Sequence, residues 1–276
     1  MPANDSHLVD KPRPEITAME YFVSENTGPI IQIDYERTRF RFVAAKKVHF
    51  RGVSFMYCVF EDCYFRDCRF EDCNFTGATF RNSNLRGSNF DGSRFDYCRF
   101  SHTLVPASII ERHMPGYENV ALELARSLRV NYAQVGDTDG VNKAISAELD
   151  ATRIHLKKAA WSKESYYRNK HKGLNRIAKI LEYCWFRFLD LLWGNGESLP
   201  KLLRTIVIAY ALIAVFLYSH KPGASFFTAL GDAFLAFWGS YVPATPMPSF
   251  AAIALTIRTV FVGLFVTVLV RRLSRR

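Results

Sequence analysis

The side chains with chemical potential in this 276-residue chain are six cysteines, seven histidines, a few acids near position 138, and a late Asp–Arg pair set among apolar residues. Five cysteines, Cys58, Cys63, Cys68, Cys73 and Cys98, share one phase of a five-residue spacing. A metal site needs its donors on one surface, and spacing by fives turns successive thiols to different faces. No histidine shares their phase. We therefore read these thiols as small buried hydrophobes and Cys184 as structural on a helix. Asp137, Asp139 and Gly140 resemble the start of a calcium loop, but further oxygen ligands and a glutamate at the twelfth position are missing. A turn with a helix-capping acid is the better reading. His49, His102, His113, His155 and His171 are scattered, and no nucleophile–base set or phosphate-binding glycine loop occurs, so no enzyme activity, metal or cofactor is expected. Asp232 and Arg258 are different in kind. An arginine at the middle of a membrane span costs about 2.5 to 3.5 kcal/mol on insertion scales, so Arg258 must face a partner or water.

The elements that carry these residues have two distinct periods. From Phe50 a large apolar side chain recurs every five residues, through Phe55, Phe60, Phe65, Phe70, Phe75, Phe80, Leu85, Phe90, Phe95 and Phe100 to Val105. Two residues before each stands a small or medium one, such as Val53, Cys58, Ala78, Ser83, Ser88, Ser93 and Thr103. Neither a helix nor a flat strand has this period. A chain that turns a corner every five residues does, and stacked coils of it form a solenoid.

This run resembles pentapeptide-repeat proteins, whose pattern is A(D/N)LXX around a central Phe or Leu. The resemblance implies a right-handed quadrilateral β-helix with four pentapeptides per coil. The twelve residues above make about three coils, and Tyr35, Phe40 and Ala45 keep the phase for one more. Some members of that family imitate DNA and bind topoisomerases through an acidic surface. Here Lys46, Lys47, Arg51, Arg66, Arg69, Arg81, Arg86, Arg94 and Arg99 outnumber the acids between Lys46 and Val105, which argues against that role.

Residues 1–29 read as a disordered lead and 30–110 as the repeat domain. Residues 111–173 form a helical connector, with helices over Tyr117–Val135 and Val141–Ala160 expected to cover the open end of the solenoid. An uncovered end is an unpaired sheet edge. In 174–199 an amphipathic helix carries Ile177, Ile180, Leu181, Cys184, Trp185, Phe188, Leu191 and Leu192 on one stripe, suited to the inner membrane surface.

Residues 200–276 form the last unit. Leu202–Tyr218 and Phe250–Val270 are apolar runs of about 26 and 32 Å as helices, against a hydrocarbon core of about 30 Å. Between them Phe226–Trp238 is too short to cross, which is the profile of a re-entrant segment. Net charge is +10. Lys163, Arg168, Lys170, Lys172, Arg176, Lys179, Lys201 and Arg204 precede or open the first run, and Arg271, Arg272, Arg275 and Arg276 follow the second. The positive-inside rule then puts both flanks in the cytoplasm. No cleavable signal peptide is expected, since Asp5, Asp10 and Lys11 interrupt the N-terminus. Charge at membrane flanks also argues against nucleic-acid binding.

From about Asn131 onward the chain resembles bacterial pentapeptide-repeat proteins with a C-terminal potassium-channel-like pore domain. Asn131-Tyr132, Gly136-Asp137, Leu191-Leu192-Trp193-Gly194-Asn195-Gly196-Glu197, Asp232-Ala233-Phe234, Gly263 and Val270-Arg271-Arg272 carry the likeness. It implies a homotetrameric ion channel of the inner membrane, with two spans, a pore loop, and Gly263 as the gating hinge. A potassium filter takes its carbonyls from a T-x-G-Y-G run. Here Phe237-Trp238-Gly239-Ser240-Tyr241-Val242-Pro243 stands instead, so Trp238, Gly239, Ser240 and Tyr241 are filter candidates without potassium selectivity carried over. Arg258 replaces the glutamate common in that family and pairs by topology with Asp232, as a structural tie or a pore-lining charge. The expected partners are membrane lipid, further copies of the chain, and a cytoplasmic protein or ligand at the repeat domain. The alternative function is a non-conducting, membrane-anchored scaffold that binds other proteins.

Overall fold

The computed structural model describes residues 14–17, 28–220, 225–238 and 248–273. The chain divides into two compact units, Met1–Lys158 and Ala159–Arg276.

In the first unit short strands follow one another along the sides of a coil, between its corners. They are β1 (Glu15–Thr17), β2 (Ile30–Ile31), β3 (Arg39–Arg41), β4 (Ala44–Lys46), β5 (His49–Arg51), β6 (Val59–Glu61), β7 (Tyr64–Arg66), β8 (Arg69–Glu71), β9 (Thr79–Arg81) and β10 (Arg99–Ser101). Pairing is parallel throughout, in the orders β1-β3-β6-β9-β10, β2-β5-β8 and β4-β7. The register advances by one coil of four pentapeptides: Phe40 lies opposite Phe60, Phe60 opposite Phe80, and Phe80 opposite Phe100. The result is a β-solenoid of about four turns.

The five-residue period has a backbone cause as well as a packing cause. Every fifth residue from Gln32 to His102 has positive φ. That region is open to Gly and tolerated by Asn, Asp and His. Gly52, Gly77, Gly87, Gly92, Asp62, Asp67, Asp72, Asn82 and His102 fill many of these corners accordingly.

Inside, the rings form columns. Phe40, Phe60, Phe80 and Phe100 stack with centroids 5.0, 4.6 and 5.2 Å apart and planes within 8°. Phe50, Phe70 and Phe90 make a second column at 4.8 and 5.0 Å. Tyr35, Phe55, Phe75 and Phe95 make a third. Neighbouring columns meet edge to face, as Phe50 meets Phe55 at 71°. Both arrangements suit the ring quadrupole.

One expectation is corrected among the described residues of the 1–29 lead, since Glu15–Thr17 are ordered. Glu15–Thr17 form β1, which pairs with β3 and seats Ile16 against the core. An Ile between polar neighbours matches the in–out alternation of a strand, and its pairing gives the first full coil a partner edge.

Helices close the first unit: α1 (Ser108–Arg112), α2 (Glu118–Gln134) and α3 (Thr138–Trp161). Gly136 takes a left-handed turn at φ 73°. Asp137 then caps α3, its carboxylate accepting the Gly140 amide hydrogen at 2.9 Å. Gly140 has no room for a side chain, because a Cβ there would lie 2.5 Å from the Tyr132 ring. The expected connector of 111–173 is therefore divided between the units. α2 and most of α3 share the solenoid's core through Leu124, Leu128, Tyr132, Ala144 and Ile145, whereas the later residues do not.

The second unit holds α4 (Ser165–Lys170), α5 (Leu174–Trp193), α6 (Leu199–His220), α7 (Phe226–Trp238) and α8 (Pro248–Leu273). Ser198 opens α6, accepting the Lys201 amide hydrogen at 3.4 Å, and Pro200 sits in the first turn, where its missing N–H does no harm. α6 thus begins at Leu199, ahead of the apolar run that opens at Leu202, and α5 ends at Trp193, short of 199.

Candidate functional site

The inward small positions of the solenoid do more than fill space. Each thiol donates to the carbonyl 23 residues earlier: Cys58 to Tyr35 at 3.0 Å, Cys63 to Phe40 at 3.4 Å, Cys68 to Ala45 at 3.3 Å, Cys73 to Phe50 at 3.7 Å and Cys98 to Phe75 at 2.8 Å. The serines repeat the pattern, with Ser88 donating to Phe65 at 2.7 Å and Ser93 to Phe70 at 3.2 Å. Ser83, Ser88 and Ser93 also accept the amide hydrogens of Cys63, Cys68 and Cys73 at 3.0 to 3.1 Å. Cys and Ser thus alternate as bridges between coils, a role that spacing alone did not suggest. Burial pushes the Cys63, Cys68 and Cys73 thiols up to about 11, and the Cys98 thiol higher still. Among the described residues no group of three or more His, Cys, Asp or Glu has metal-binding geometry.

The far end of the solenoid is closed by side chains in place of a strand. Along α2, Ser127 Oγ accepts the Phe100 amide hydrogen at 2.9 Å, Asn131 Oδ1 accepts that of Thr103 at 2.8 Å, and Gln134 Oε1 accepts that of His102 at 3.0 Å. Asn131 also donates to the Thr103 carbonyl at 2.8 Å. Spacings of four and three residues put these groups on one helical face, so a helix satisfies the donors a further coil would take. Tyr132, fully buried, adds a bond to the Pro106 carbonyl. The Asn131-Tyr132 and Gly136-Asp137 pairs noted in the sequence therefore build the cap.

In the second unit α5 keeps its apolar stripe outside. Leu174, Ile177, Leu181, Trp185, Phe188 and Leu191 are exposed, and no residue of the helix is buried. The helix ends at Gly194, left-handed at φ 65°, whose amide donates to the Asp190 carbonyl. α6 then takes up the carbonyls that the end of α5 leaves open. Arg204 donates to Leu191, Thr205 to Leu192 at 2.7 Å, and Lys201 pairs with Asp190 at 2.6 Å. Arg271 of α8 sits at the same elbow, 3.9 Å from Glu197. A Cβ on Gly196 would come within 2.7 Å of its guanidinium, so the glycine leaves room for that cation.

Among the described residues one helix, α6, is long and apolar enough to cross a membrane. Ile213, Ala214 and Leu217 on one face pack against Ala229 and Ala233 of α7, and the Tyr210 hydroxyl donates to the Leu230 carbonyl at 2.7 Å. Val207, Ile208, Leu212 and Val215 of α6 are exposed. α8 packs on both α6 and α7.

Of the residues singled out from sequence, Asp232 lies on α7 and Arg258 on α8, each half-buried. Trp238 ends α7, and Gly239, Ser240 and Tyr241 lie outside the described residues. Gly263 is in α8 with open space where a Cβ would stand, and the Thr267 hydroxyl donates back to its carbonyl at 2.7 Å. Arg168, His171, Lys172 and Arg176, which sequence treated only as flanking charge or as scattered, line one cavity.

Stacked parallel coils with period-five corners define a β-solenoid joined to an apolar helical unit. Residues 31–108 match the family model described as "Pentapeptide repeat region", and this segment is a pentapeptide-repeat domain. A comparison with curated proteins finds no match. Among solved structures, the chain is similar to trypsin-treated QnrB1, a plasmid-mediated fluoroquinolone resistance protein, at 18% identity and TM-score 0.26, covering 27% of this chain and 40% of that one. It is also similar to a pentapeptide repeat protein from the Arabidopsis thaliana thylakoid lumen, at 17% identity and TM-score 0.19, covering 40% of this chain and 79% of that one. The chain thus spans less than half the length of the QnrB1 chain.

Proposed function

We propose that the chain is an integral membrane protein of ion-channel type, in which copies assembled as a tetramer surround a path built from α6, α7 and α8. The pentapeptide-repeat solenoid serves as its cytoplasmic domain for binding a protein or ligand. The observation that carries this reading is the pairing of α6 with α7. A helix of 22 residues, about 33 Å long at ~1.5 Å per residue, holds against itself a 13-residue apolar helix too short to cross. The outward face of α6 stays apolar and exposed, which in water is costly and in lipid is not. A simple anchor has no need of a short second helix, nor of Asp232 and Arg258 within the apolar unit. In this reading α6 and α8 are the two spans of a protein in the inner membrane, both termini are cytoplasmic, α7 is the pore helix, and Gly263 is a bend in α8.

Purified full-length protein in planar bilayers tests the proposal. Discrete conductance that changes ion preference on Arg258→Glu, read as a shifted reversal potential, supports a pore lined by that cation. Conductance with an unchanged permeability ratio leaves Arg258 as a structural tie. A dimeric assembly with no central path and no current overturns the channel reading in favour of a membrane-anchored scaffold.

A further inference from the structure

The cavity of about 370 Å³ ahead of α5 is the least explained polar feature of the second unit. Arg168, His171, Lys172 and Arg176 line it together with Ser162 and Tyr167, and no carboxylate is among its lining residues. Its walls are built. Tyr167 is buried and stacks on the His171 ring at 6.4 Å, while Arg176 Nε donates to the Ala160 carbonyl at 2.9 Å, which fixes the start of its guanidinium. His171 Nε2 is shielded from solvent without a hydrogen-bond partner among the described residues. Burial, then Lys179 and Lys170, hold that ring below the ordinary histidine value. Glu182 acts on the ring in the opposite direction but is paired with Lys179 at 2.7 Å, so the cavity's own walls offer no negative charge and an arriving anion supplies it.

The residues next to the cavity point to the source of that anion. Gly173 closes the cavity, and Leu174 beside it is 83% exposed and begins the apolar stripe that continues through Ile177, Leu181 and Trp185. Cations beside an apolar stripe match the layering of a bilayer surface, where headgroup phosphates lie above acyl chains. We propose that this cavity is a binding site for the phosphate headgroup of an anionic phospholipid, which seats α5 on the membrane. The proposal rests on the membrane reading above.

The experiment uses full-length protein carrying Trp193→Phe and Trp238→Phe in neutral detergent micelles, so that Trp161 and Trp185 are the reporters, with brominated phosphatidylglycerol or brominated phosphatidylcholine as quenchers. The expected result is half-quenching by the phosphatidylglycerol at about tenfold lower mole fraction than by the phosphatidylcholine, given the attraction of each nearby cation for an anionic surface. Arg168→Gln with Lys172→Gln removes that preference, while the charge-conserving Arg168→Lys with Lys172→Arg keeps it at unchanged helicity. Equal quenching by the two lipids overturns the proposal, as does a preference abolished by millimolar inorganic phosphate, which marks a soluble-anion site. A carbonate wash of membranes separates the two readings. Protein that stays in the pellet without lipid preference sinks the cavity alone, and protein that leaves the pellet sinks the membrane reading.

Discussion

Asn131 stands in for a β-strand at the end of the solenoid, accepting the Thr103 amide hydrogen and donating to the Thr103 carbonyl, both at 2.8 Å. Two opposed bonds to one residue are what a parallel neighbour's backbone otherwise supplies. Asn131 is fully buried, so neither Thr103 group has water as a substitute.

Removing this mimicry is expensive. Asn131→Leu leaves a buried N–H and a buried C=O unsatisfied, each at about 1 to 3 kcal/mol. The expected loss in denaturant unfolding is therefore about 2 to 6 kcal/mol, falling on the β10 edge first. Hydrogen exchange at Phe100, His102 and Thr103 should rise before that of Phe60 or Phe80. Uniform exchange across the coils would contradict the cap assignment.

The thiols provide a second check. Cys58, Cys63, Cys68, Cys73 and Cys98 are buried and Cys184 is exposed. A soluble thiol reagent at pH 8 should leave the five solenoid cysteines unmodified in the folded protein and modify all six after denaturation. Fast labelling of a solenoid thiol in the native state would contradict the packing described.

Alkaline stability depends on the same burial, with a definite sign. Cys63, Cys68 and Cys73 are raised from 9.0 to about 11 in the folded chain. Below pH 9 both states hold these protons, and between 9 and 11 the unfolded chain releases them while the folded chain does not. Stability should thus be intact below 9 and decline as pH rises towards 11. The triple replacement Cys63→Ser, Cys68→Ser, Cys73→Ser keeps a donor at each place and should flatten this decline. An unchanged alkaline slope would rule out the thiols as its source.

Corner glycines should differ in a graded way. At Gly87 a Cβ would lie 2.1 Å from Asp67 Oδ1, whereas at Gly52 the nearest atom is Gln32 Cγ at 3.6 Å. Both have positive φ, so either alanine costs about 1 to 2 kcal/mol from the backbone alone. Gly87→Ala should be the worse of the two, and adding Asp67→Ala should bring it level with Gly52→Ala. Equal stability of the single variants would exclude the Asp67 contact as a constraint.

Gly263 offers a test within the proposed pore. Open space at its Cβ position means that Gly263→Ala should stabilise α8 by about 1 kcal/mol through helix propensity. Thr267 bonds back to the Gly263 carbonyl, a contact that favours bending. If the helix hinges there, the alanine variant should melt higher and open less often in bilayer recordings. Higher melting with unaltered gating would remove the hinge.

How the sequence announced each feature depended on where its constraint lies along the chain. The solenoid was legible because its constraint is local and repeated. A large residue every five positions, with Gly, Asp or Asn at many corners, has one regular solution. The amphipathic stripe of α5 and the length of α6 were legible for the same reason, since helical period and apolar run length are properties of contiguous residues.

Other features depend on residues that only folding brings together. The Cys–Ser bridges span 20 to 23 residues across coils, and Ser127, Asn131 and Gln134 acquire their role only when α2 lies on β10. The same holds for the cationic cavity. Arg168, His171, Lys172 and Arg176 read as one more basic flank until the turn between α4 and α5 sets them around a shared space. Sequence by itself determined which backbone conformations repeat, because sterics act within a few residues. Tertiary structure decided which donors, acceptors and charges meet, because hydrogen bonds and electrostatics act between groups brought close whatever their distance along the chain.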